Sequence, residues 1–391
     1  MNKLFLVKQR WLFLALLILQ GTGLRASIQL THNPFVQNVT ETEATIVWVV
    51  DQSSVGWLEY KVADAVTFYH QQQQQVFDTK NGLKNEAKVH TVRLTGLKPG
   101  TTYAYRVFSQ EVLAHEGNRV RYGEYASTKV YGREPLRFTT VDRAKKNFGF
   151  AMINDIHGNS ELLSNLMTQC NPKETDFVFF NGDMSSIFDK EEDIFEGFMN
   201  EAIALFASET PIYYVRGNHE TRGSFAPYFQ RYFSPRQSHI YQVYFRGDVC
   251  FIELDTGEDK PDSDIEYYGI TDYDAYRTEQ AAWLKRILQE PAVKQAKFRV
   301  VIGHIPPSLT GWHGDQEVAQ KFVPLLNAAD ITVMLCGHLH HYYNRKADQH
   351  THFPVIVNSN NTLLKGKVTA NSLELNILDE KGKQVDQLIF H

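Results

Sequence analysis

Five short polar motifs in the second half of the sequence contain residue types that bind transition metals. They read NDIHG, NGDM, GNHE, GHIPP and GHLHH. Their candidate ligands are Asp155, His157, Asp183, Asn218, His304, His338 and His340. Mixed imidazole and carboxylate ligands suit zinc, manganese or iron, and not calcium or magnesium alone. Seven ligands are too many for one ion, so the motifs predict two ions, divalent or of mixed valence, and leave the metal's identity open.

Each motif follows a short apolar segment. The segments FGFAMI, DFVFF, PIYYV, FRVVI and ITVML are rich in Val, Ile and Phe and are typical of strands, and VCFIEL is a sixth that no such motif follows. Amphipathic patterns such as EDIFEGFMNEAIALF and TEQAAWLKRILQE lie between them and predict helices. This alternation predicts an α/β domain over residues 147–391. Because sites form outside the carboxyl ends of strands in such sheets, we expect the five motifs to meet.

The order Asp-x-His, Gly-Asp, Gly-Asn-His-Glu, Gly-His and Gly-His-x-His resembles that of the calcineurin-like metallophosphoesterases. The resemblance covers residues 147–391 and implies a two-sheet β core flanked by helices, with hydrolysis of phosphate esters. It also implies that Asp183 bridges two ions, the first held by Asp155, His157, Asp183 and His340 and the second by Asp183, Asn218, His304 and His338.

A centre of this kind needs no nucleophile from the protein. Water that bridges two ions about 3.5–4 Å apart is acidified, and the resulting hydroxide attacks phosphorus in line. His219 is then expected to reach past the ions and either stabilise charge on the phosphoryl group or protonate the leaving oxygen. Glu220 is a candidate to orient His219, and a surface salt bridge between Glu220 and Arg222 is the alternative.

The preceding part of the sequence, from Ser27 to about Thr140, alternates apolar and polar residues, as half-buried antiparallel strands do. The clearest strands are ATIVWVV and TYAYRV, and Trp48 and Tyr103 are candidate core residues of a small sandwich. With the turn in LTGLKPGTTY, these stretches resemble a fibronectin type III module of the kind that precedes purple acid phosphatase domains. The resemblance implies an N-terminal all-β sandwich over residues 27–140.

Six further residues are candidates for contact with the substrate. His313 lies nine residues after His304 and resembles a leaving-group histidine of the purple acid phosphatases, and an exposed loop histidine is the alternative. The other five flank or face the ligand loops and are candidates for the rim of the site, with core or surface packing as the alternative: His341, Tyr342, Tyr343, Tyr267 and Tyr268.

Two positions depart from the purple acid phosphatases. Ser186 stands three residues after Asp183, where those enzymes carry a tyrosine, and His157 stands where their first motif has no ligand histidine. Because charge transfer from tyrosine to iron gives those enzymes their colour, we expect a colourless protein. Replacement of phenolate by imidazole also weakens any preference for a ferric ion and leaves the pH optimum open.

Residues 1–26 have the layout of a secretory signal peptide. Basic residues precede the apolar run WLFLALLIL, and small residues lead to Ala26. Cleavage there predicts a secreted or periplasmic protein with no transmembrane segment in the mature chain, and an uncleaved anchor is the alternative. Removal of four basic residues takes the formal net charge from −5 to −9, because −5 − 4 = −9. That balance disfavours nucleic acid polymers as partners.

The leading interpretation is a secreted metal-dependent phosphatase that acts on small phosphorylated substrates, specifically phosphate monoesters. A phosphodiesterase or nucleotide hydrolase with the same centre is the alternative. A binding or adhesion protein with a vestigial site is a further one, but it predicts missing ligands and none is missing. The three cysteines are too few for a disulfide framework, and Cys250 and Cys336 are expected to be buried free thiols. The natural substrate and the oligomeric state are left open.

Overall fold

The computed structural model describes residues 27–64, 68–70, 72–129 and 132–391, so the predicted signal peptide lies outside the described residues. The strands are β1 Leu30–Gln37, β2 Ala44–Val62, β3 Gln74–Phe77, β4 Thr79–Lys80, β5 Leu83–Lys84, β6 Glu86–Leu94, β7 Thr102–Glu116, β8 Arg119–Ser127, β9 Leu136–Thr139, β10 Phe148–Ile153, β11 Phe177–Asn181, β12 Ile212–Val215, β13 Gln242–Arg246, β14 Val249–Leu254, β15 Phe298–Gly303, β16 Val333–Cys336, β17 Tyr343–Arg345, β18 Val355–Val357, β19 Thr362–Val368, β20 Leu373–Asp379 and β21 Gln384–Phe390. The α-helices are α1 Ser160–Met167, α2 Glu191–Ile194, α3 Asn200–Ala202, α4 Phe229–Tyr232, α5 Tyr273–Ile287, α6 Pro291–Gln295, α7 His313–Lys321 and α8 Val323–Asn327. Wider turns at Phe195–Met199 and Ile203–Ala207 extend α2 and α3, and short 3₁₀ turns lie at Phe68–His70, His219–Thr221, Ala226–Tyr228 and Ile265–Tyr267.

The N-terminal module is built from β1 to β9 and is all-β, as the sequence predicts. The long strand β2 pairs with β1 and β6 over its first half and with β7 and β3 over its second half. A register shift between Val49 and Ser54 separates the two halves. Trp48 and Tyr103 are both buried in the core of this module, and the Trp48 indole donates a hydrogen bond to Ser109 Oγ at 2.9 Å.

The α/β part has two facing sheets, which confirms the predicted two-sheet core. One sheet runs in the order β21-β20-β19-β10-β11-β12 and the other in the order β13-β14-β15-β16-β18-β17. Aromatic rings fill the space between them, including those of Phe150, Phe179 and Phe251. Helix α1 and residues 191–207 cover the outer face of the first sheet, and α5, α7 and α8 cover that of the second. Every residue of β10, β11 and β14 is therefore buried.

One hydrophobic cluster contains residues of both the N-terminal module and the α/β part. Strand β1 pairs in parallel with β12 through Gln37 and Ile212, so the first sheet continues into the module. Phe35 packs in the same cluster as Phe233, with ring centroids 6.2 Å apart. The Tyr105 hydroxyl donates to the carbonyl of Ser208 at 2.7 Å. The module is thus a built-in support for the sheet that carries three of the metal motifs.

Two smaller observations concern the cysteines and the helices. Cys250 and Cys336 are buried and free, as predicted from the sequence. Within the part of the chain that the structure describes, no helix combines the length and the apolar composition needed to cross a membrane.

A buried carboxyl group lies where the second sheet meets the N-terminal module. Gln242 donates from its amide to Glu253 at 2.5 Å and to Asn38 Oδ1 at 3.1 Å. Glu253 is 2 % exposed, and burial raises its pKa from 4.5 to about 8. The folded state therefore keeps a proton that the unfolded chain loses above pH 4.5, so this group lowers the stability of the fold as the pH rises from 4.5 to 8.

We expect Glu253→Gln to remove that pH dependence. Each pKa unit corresponds to about 1.4 kcal/mol of free energy. The unfolding free energy of the variant minus that of the wild type should therefore be about 2–4 kcal/mol larger at pH 8 than at pH 5. Urea unfolding of the metal-free proteins at both pH values measures the gain, with the exposed Glu380→Gln as control. An equal difference at the two pH values would show that Glu253 is ionised in the fold.

Candidate dinuclear metal site

The five motifs lie together at the carboxyl ends of β10, β11, β12, β15 and β16. Backbone hydrogen bonds join neighbouring loops: Asp155 N–H donates to Gly182 O at 2.9 Å, and His157 N–H donates to Asp183 O at 3.0 Å. Gly337 N–H donates to His304 O at 2.9 Å. The structure thus brings all seven candidate ligands to one edge of the two sheets, where the sequence places them.

Five of the seven candidate ligands lie in an unusual backbone conformation. Of the ten non-glycine residues with positive φ among the described residues, five are candidate ligands: Asp155, His157, Asp183, His338 and His340, with φ between 50° and 76°. Left-handed backbone at such residues costs about 1–3 kcal/mol each and persists where the surroundings impose it. It turns the chain sharply out of each strand, so that side chains of adjacent loops point to a shared centre.

The first cluster consists of Asp155, His157 and His340. His340 Nε2 lies 3.3 Å and His157 Nε2 lies 3.9 Å from Asp155 Oδ1. The two imidazole Nε2 atoms are 3.0 Å apart. Two nitrogens that each lie about 2.1 Å from one ion are about 3.0 Å apart when they bind at a right angle. The spacing therefore fits two ligands of one cation.

The second cluster consists of Asp183, His304 and His338, with Asn218 beside it. His304 Nε2 lies 3.0 Å from Asp183 Oδ2, and His304 Nδ1 lies 2.7 Å from the carbonyl of Asn181. Because Nδ1 must donate to that carbonyl, the lone pair of a neutral His304 is on Nε2, which faces the cluster. His338 Nδ1 lies 3.1 Å from Asn218 Oδ1.

The two clusters adjoin. His304 Nε2 of the second cluster lies 3.8 Å from Asp155 Oδ1 of the first. Asp183 groups with His304 and His338 on one side and with His157 and His219 on the other. Asp183 is therefore the carboxylate that faces both clusters.

Each carboxylate has one oxygen fixed by backbone and one directed inward. Asp155 Oδ2 accepts from His338 N–H at 2.9 Å and from the Asn154 amide at 2.6 Å. Asp183 Oδ1 accepts from His219 N–H at 2.9 Å. Within the described residues, Asp155 Oδ1 and His304 Nε2 are buried and form no hydrogen bond of regular geometry, although His304 Nε2 lies 3.0 Å from Asp183 Oδ2 and His340 Nε2 lies 3.3 Å from Asp155 Oδ1. Such atoms are costly unless they bind a ligand, so the donor set fits metal cations.

The electrostatics of the clusters agree with that fit. Burial and the neighbouring His304 lower the pKa of His338 to about 4, which keeps this imidazole in the neutral form that binds metals. Burial alone would raise the pKa of Asp183, but His304 holds it below its usual range. Asp183 in turn overcomes burial and raises the pKa of His304 to about 10. At neutral pH His304 therefore carries a proton on Nε2 when no metal is bound, and a bound cation would replace that proton.

Glu220 has a different role from both that the sequence suggested. Its carboxylate is fully buried and, among the described residues, forms no hydrogen bond with the His219 ring or with Arg222. It accepts the backbone N–H groups of Asp183 at 2.8 Å, Met184 at 2.7 Å and Gly217 at 2.8 Å, together with the Tyr214 hydroxyl at 2.8 Å. Glu220 therefore joins the loop of the second motif to the loop of the third.

The joined loops leave no room for side chains at their glycines. A side-chain carbon at Gly182, where φ is 82°, would lie 2.6 Å from the Cα atom of Gly217. Glycine at both positions thus permits the close approach of the two loops.

Arg222 pairs with other carboxylates. Its guanidinium donates to Glu258 through two bonds of 2.9 Å and to Asp259 at 3.1 Å. The suggested pair with Glu220 is wrong, because Glu220 is committed to the backbone of the ligand loops.

His219 lies beside the clusters and is held from behind. Its Nδ1 donates to the carbonyl of Ser186 at 2.6 Å, so Nε2 points inward, 3.9 Å from Asp183 Oδ2. Ser186 Oγ also lies 3.4 Å from His157 Nδ1. Ser186, which stands where the purple acid phosphatases carry a tyrosine, therefore contacts the rings of both His219 and His157. The sequence indicated the replacement but not this contact.

Three further substrate candidates form hydrogen bonds with groups outside the ligand clusters. His313 begins α7, and its Nε2 lies 2.7 Å from Asp274 Oδ1 in a separate group that includes Glu317. His341 is exposed, and its Nδ1 bonds the carbonyl of Leu339 at 2.8 Å. Tyr342 is partly buried, and its hydroxyl donates to Asp386 at 2.6 Å. Trp312, which the sequence did not single out, packs edge-on against His338 with ring centroids 5.8 Å apart.

Comparison with known proteins agrees with both resemblances. Residues 148–342 match the calcineurin-like phosphoesterase family, and residues 32–128 match the purple acid phosphatase N-terminal domain. Purple acid phosphatase 21 of Arabidopsis thaliana is 24 % identical over 282 residues, which are 68 % of this chain and 56 % of that relative. The chain therefore spans little more than half the length of this relative.

Solved structures also resemble the chain. A predicted phosphoesterase from Streptococcus pneumoniae TIGR4 is 11 % identical, with 62 % of this chain and 97 % of the other covered at a TM-score of 0.30. A 5'-nucleotidase from Candida albicans SC5314 is 14 % identical, with 60 % of this chain and 52 % of the other covered at a TM-score of 0.39.

We expect Glu220→Gln to loosen the metal site. One amide nitrogen would replace an oxygen that accepts two hydrogen bonds and would direct N–H toward N–H, at a cost of about 2–4 kcal/mol. Metal content by elemental analysis should fall, and the unfolding free energy should fall with it. Tyr214→Phe is the matched control, because it removes one donor and leaves every backbone bond in place. Wild-type metal content in Glu220→Gln would contradict this role.

Proposed function

Because the chain carries a calcineurin-like phosphoesterase domain behind a purple acid phosphatase N-terminal domain, we propose that it hydrolyses phosphate monoesters with two metal ions. The observation that carries the proposal is the pair of adjoining clusters, in which Asp183 of the second also groups with His157 of the first and buried ligand atoms form no regular hydrogen bond. Secretion is part of the proposal and rests on the signal-peptide layout of residues 1–26.

In this proposal each cluster holds one ion. One ion would bind Asp155, His157, Asp183 and His340, and the other would bind Asp183, Asn218, His304 and His338. When bound, the ions supply a water-derived nucleophile at neutral pH and positive charge for the phosphoryl oxygens. The chain's own contribution is to orient these ligands through Glu220, Asn181 and the backbone of the loops.

His219 acts on the phosphoryl group in this proposal. Its Nδ1–H is committed to the carbonyl of Ser186, and its side chain is 27 % exposed, so Nε2 is accessible from the solvent side of the clusters. From there a protonated Nε2 can donate a hydrogen bond to a phosphoryl oxygen or a proton to the leaving oxygen.

The choice of monoesters over diesters is supported by the match to a relative named as a phosphatase. The test is to load the protein separately with zinc, manganese and iron and to compare kcat/KM for p-nitrophenyl phosphate and bis(p-nitrophenyl) phosphate. A higher value for the monoester supports the proposal. A higher value for the diester would replace it with phosphodiesterase activity.

We expect His219→Ala to retain both metals and to lose turnover by about 10²–10⁴-fold, since the substitution removes charge stabilisation without removing a ligand. Elemental analysis and kcat for p-nitrophenyl phosphate measure the two quantities, with the exposed His352→Ala as control. Parallel loss of metal and turnover in His219→Ala would make His219 a ligand.

Asp183→Asn should instead lower the content of both ions.

A further inference from the structure

A groove of about 750 Å³ lies beside the candidate metal site. Its walls come from Ile187, from residues 216–227 and from residues 266–276. Arg216 follows the carboxyl end of β12, so the floor of the groove lies at the same edge of the sheets as the metal motifs. We call it the 187/270 groove, after Ile187 and Ile270 on its walls.

Residues that line the 187/270 groove adjoin His219 and its support. Ile187 directly follows Ser186, whose carbonyl accepts a hydrogen bond from the His219 ring. Thr221, which also lines the groove, ends the short helical turn that His219 begins. The groove is therefore the nearby space for a group attached to a phosphoryl oxygen at His219 Nε2.

The two arginines that line the groove are already paired with carboxylates. Arg216 donates to Asp255 at 3.3 and 2.8 Å, and the Tyr276 hydroxyl bonds the same carboxylate at 2.9 Å. Arg222 is paired with Glu258 and Asp259. Neither guanidinium is thus available to a second phosphate or another anion, and the carboxylates would repel one.

The walls offer uncovered apolar surface. Ile187 is 41 % exposed, Ile270 is 87 % exposed and the Tyr268 side chain is 90 % exposed. Tyr273 and Tyr276 also line the groove. Contact with an apolar group would remove this surface from water, which favours binding.

We propose that the 187/270 groove receives the alcohol part of the substrate and selects an uncharged aromatic or aliphatic alcohol. This rests on the proposed monoesterase function. Hydrolysis breaks the bond between phosphorus and the alcohol oxygen; water supplies the oxygen that stays on phosphate and the proton that the alcohol takes up. The groove holds this alcohol while His219 faces the bond that breaks.

The test compares kcat/KM for phenyl phosphate, biphenyl-4-yl phosphate and 4'-carboxybiphenyl-4-yl phosphate. In the wild type we expect kcat/KM for biphenyl-4-yl phosphate to exceed that for each of the other two esters by about fivefold or more. Phenyl phosphate has no second ring to contact the groove, and the second ring of the third ester carries a charge. Equal values for biphenyl-4-yl and phenyl phosphate would overturn the proposal, and so would a preference for the carboxylate.

Ile270→Ser should lower the ratio of kcat/KM for biphenyl-4-yl phosphate to kcat/KM for phenyl phosphate about threefold or more. Tyr268→Asn should act in the same direction, and asparagine tolerates the φ of 50° at this position. Ile265→Ser is the matched control, because Ile265 is 82 % exposed in the same segment and does not line the groove. An unchanged ratio in both groove variants would overturn the proposal.

Binding of 4-hydroxybiphenyl to the metal-free protein, followed by saturation-transfer NMR, separates the two proposals. If no phosphate ester is hydrolysed with any metal, the monoesterase function fails. The groove proposal is then tested by the binding of 4-hydroxybiphenyl alone. A Kd that is about threefold higher than the wild-type value in Ile270→Ser, and unchanged in Ile265→Ser, supports the groove proposal. Equal Kd values in the two variants would overturn it.

Discussion

The Glu220 carboxylate is the contact on which the site depends. It is fully buried and accepts backbone N–H groups from Asp183, Met184 and Gly217, so one side chain fixes the spacing of two ligand loops. The same spacing lets His219 N–H reach Asp183 Oδ1 and leaves Oδ2 directed inward. A buried carboxylate with this many donors is strongly bound, and it holds the loops without occupying a ligand position.

This contact opposes the strain in the ligand loops. Five candidate ligands have left-handed backbone, at a combined cost that no single side-chain contact offsets. The hydrogen bonds between adjacent loops, the Glu220 carboxylate and the fully buried strands below them act together. The N-terminal module adds to this support, because β1 extends the sheet that carries the first three motifs.

Strand β14 is a fully buried strand that no metal motif follows, and it has a separate use. Strand β14 ends at Leu254, and the residue that follows, Asp255, holds Arg216 and Tyr276 in the floor of the 187/270 groove. The same edge of the two sheets thus forms a cluster of ligands on one side and an apolar groove on the other. His219 lies between the two, supported by Ser186.

The sequence by itself determined the strand segments, their order and the seven residues that meet, because buried parallel strands read as apolar runs and their carboxyl ends share an edge. It identified Glu220 and His313 as residues of interest but not their contacts. The Glu220 carboxylate accepts a hydrogen bond from the backbone N–H of Asp183. The His313 ring pairs with Asp274, which lies 39 positions away in the sequence. Only the tertiary structure decided these partners, since hydrogen bonds between distant segments depend on how the loops pack and leave no periodic pattern in the chain.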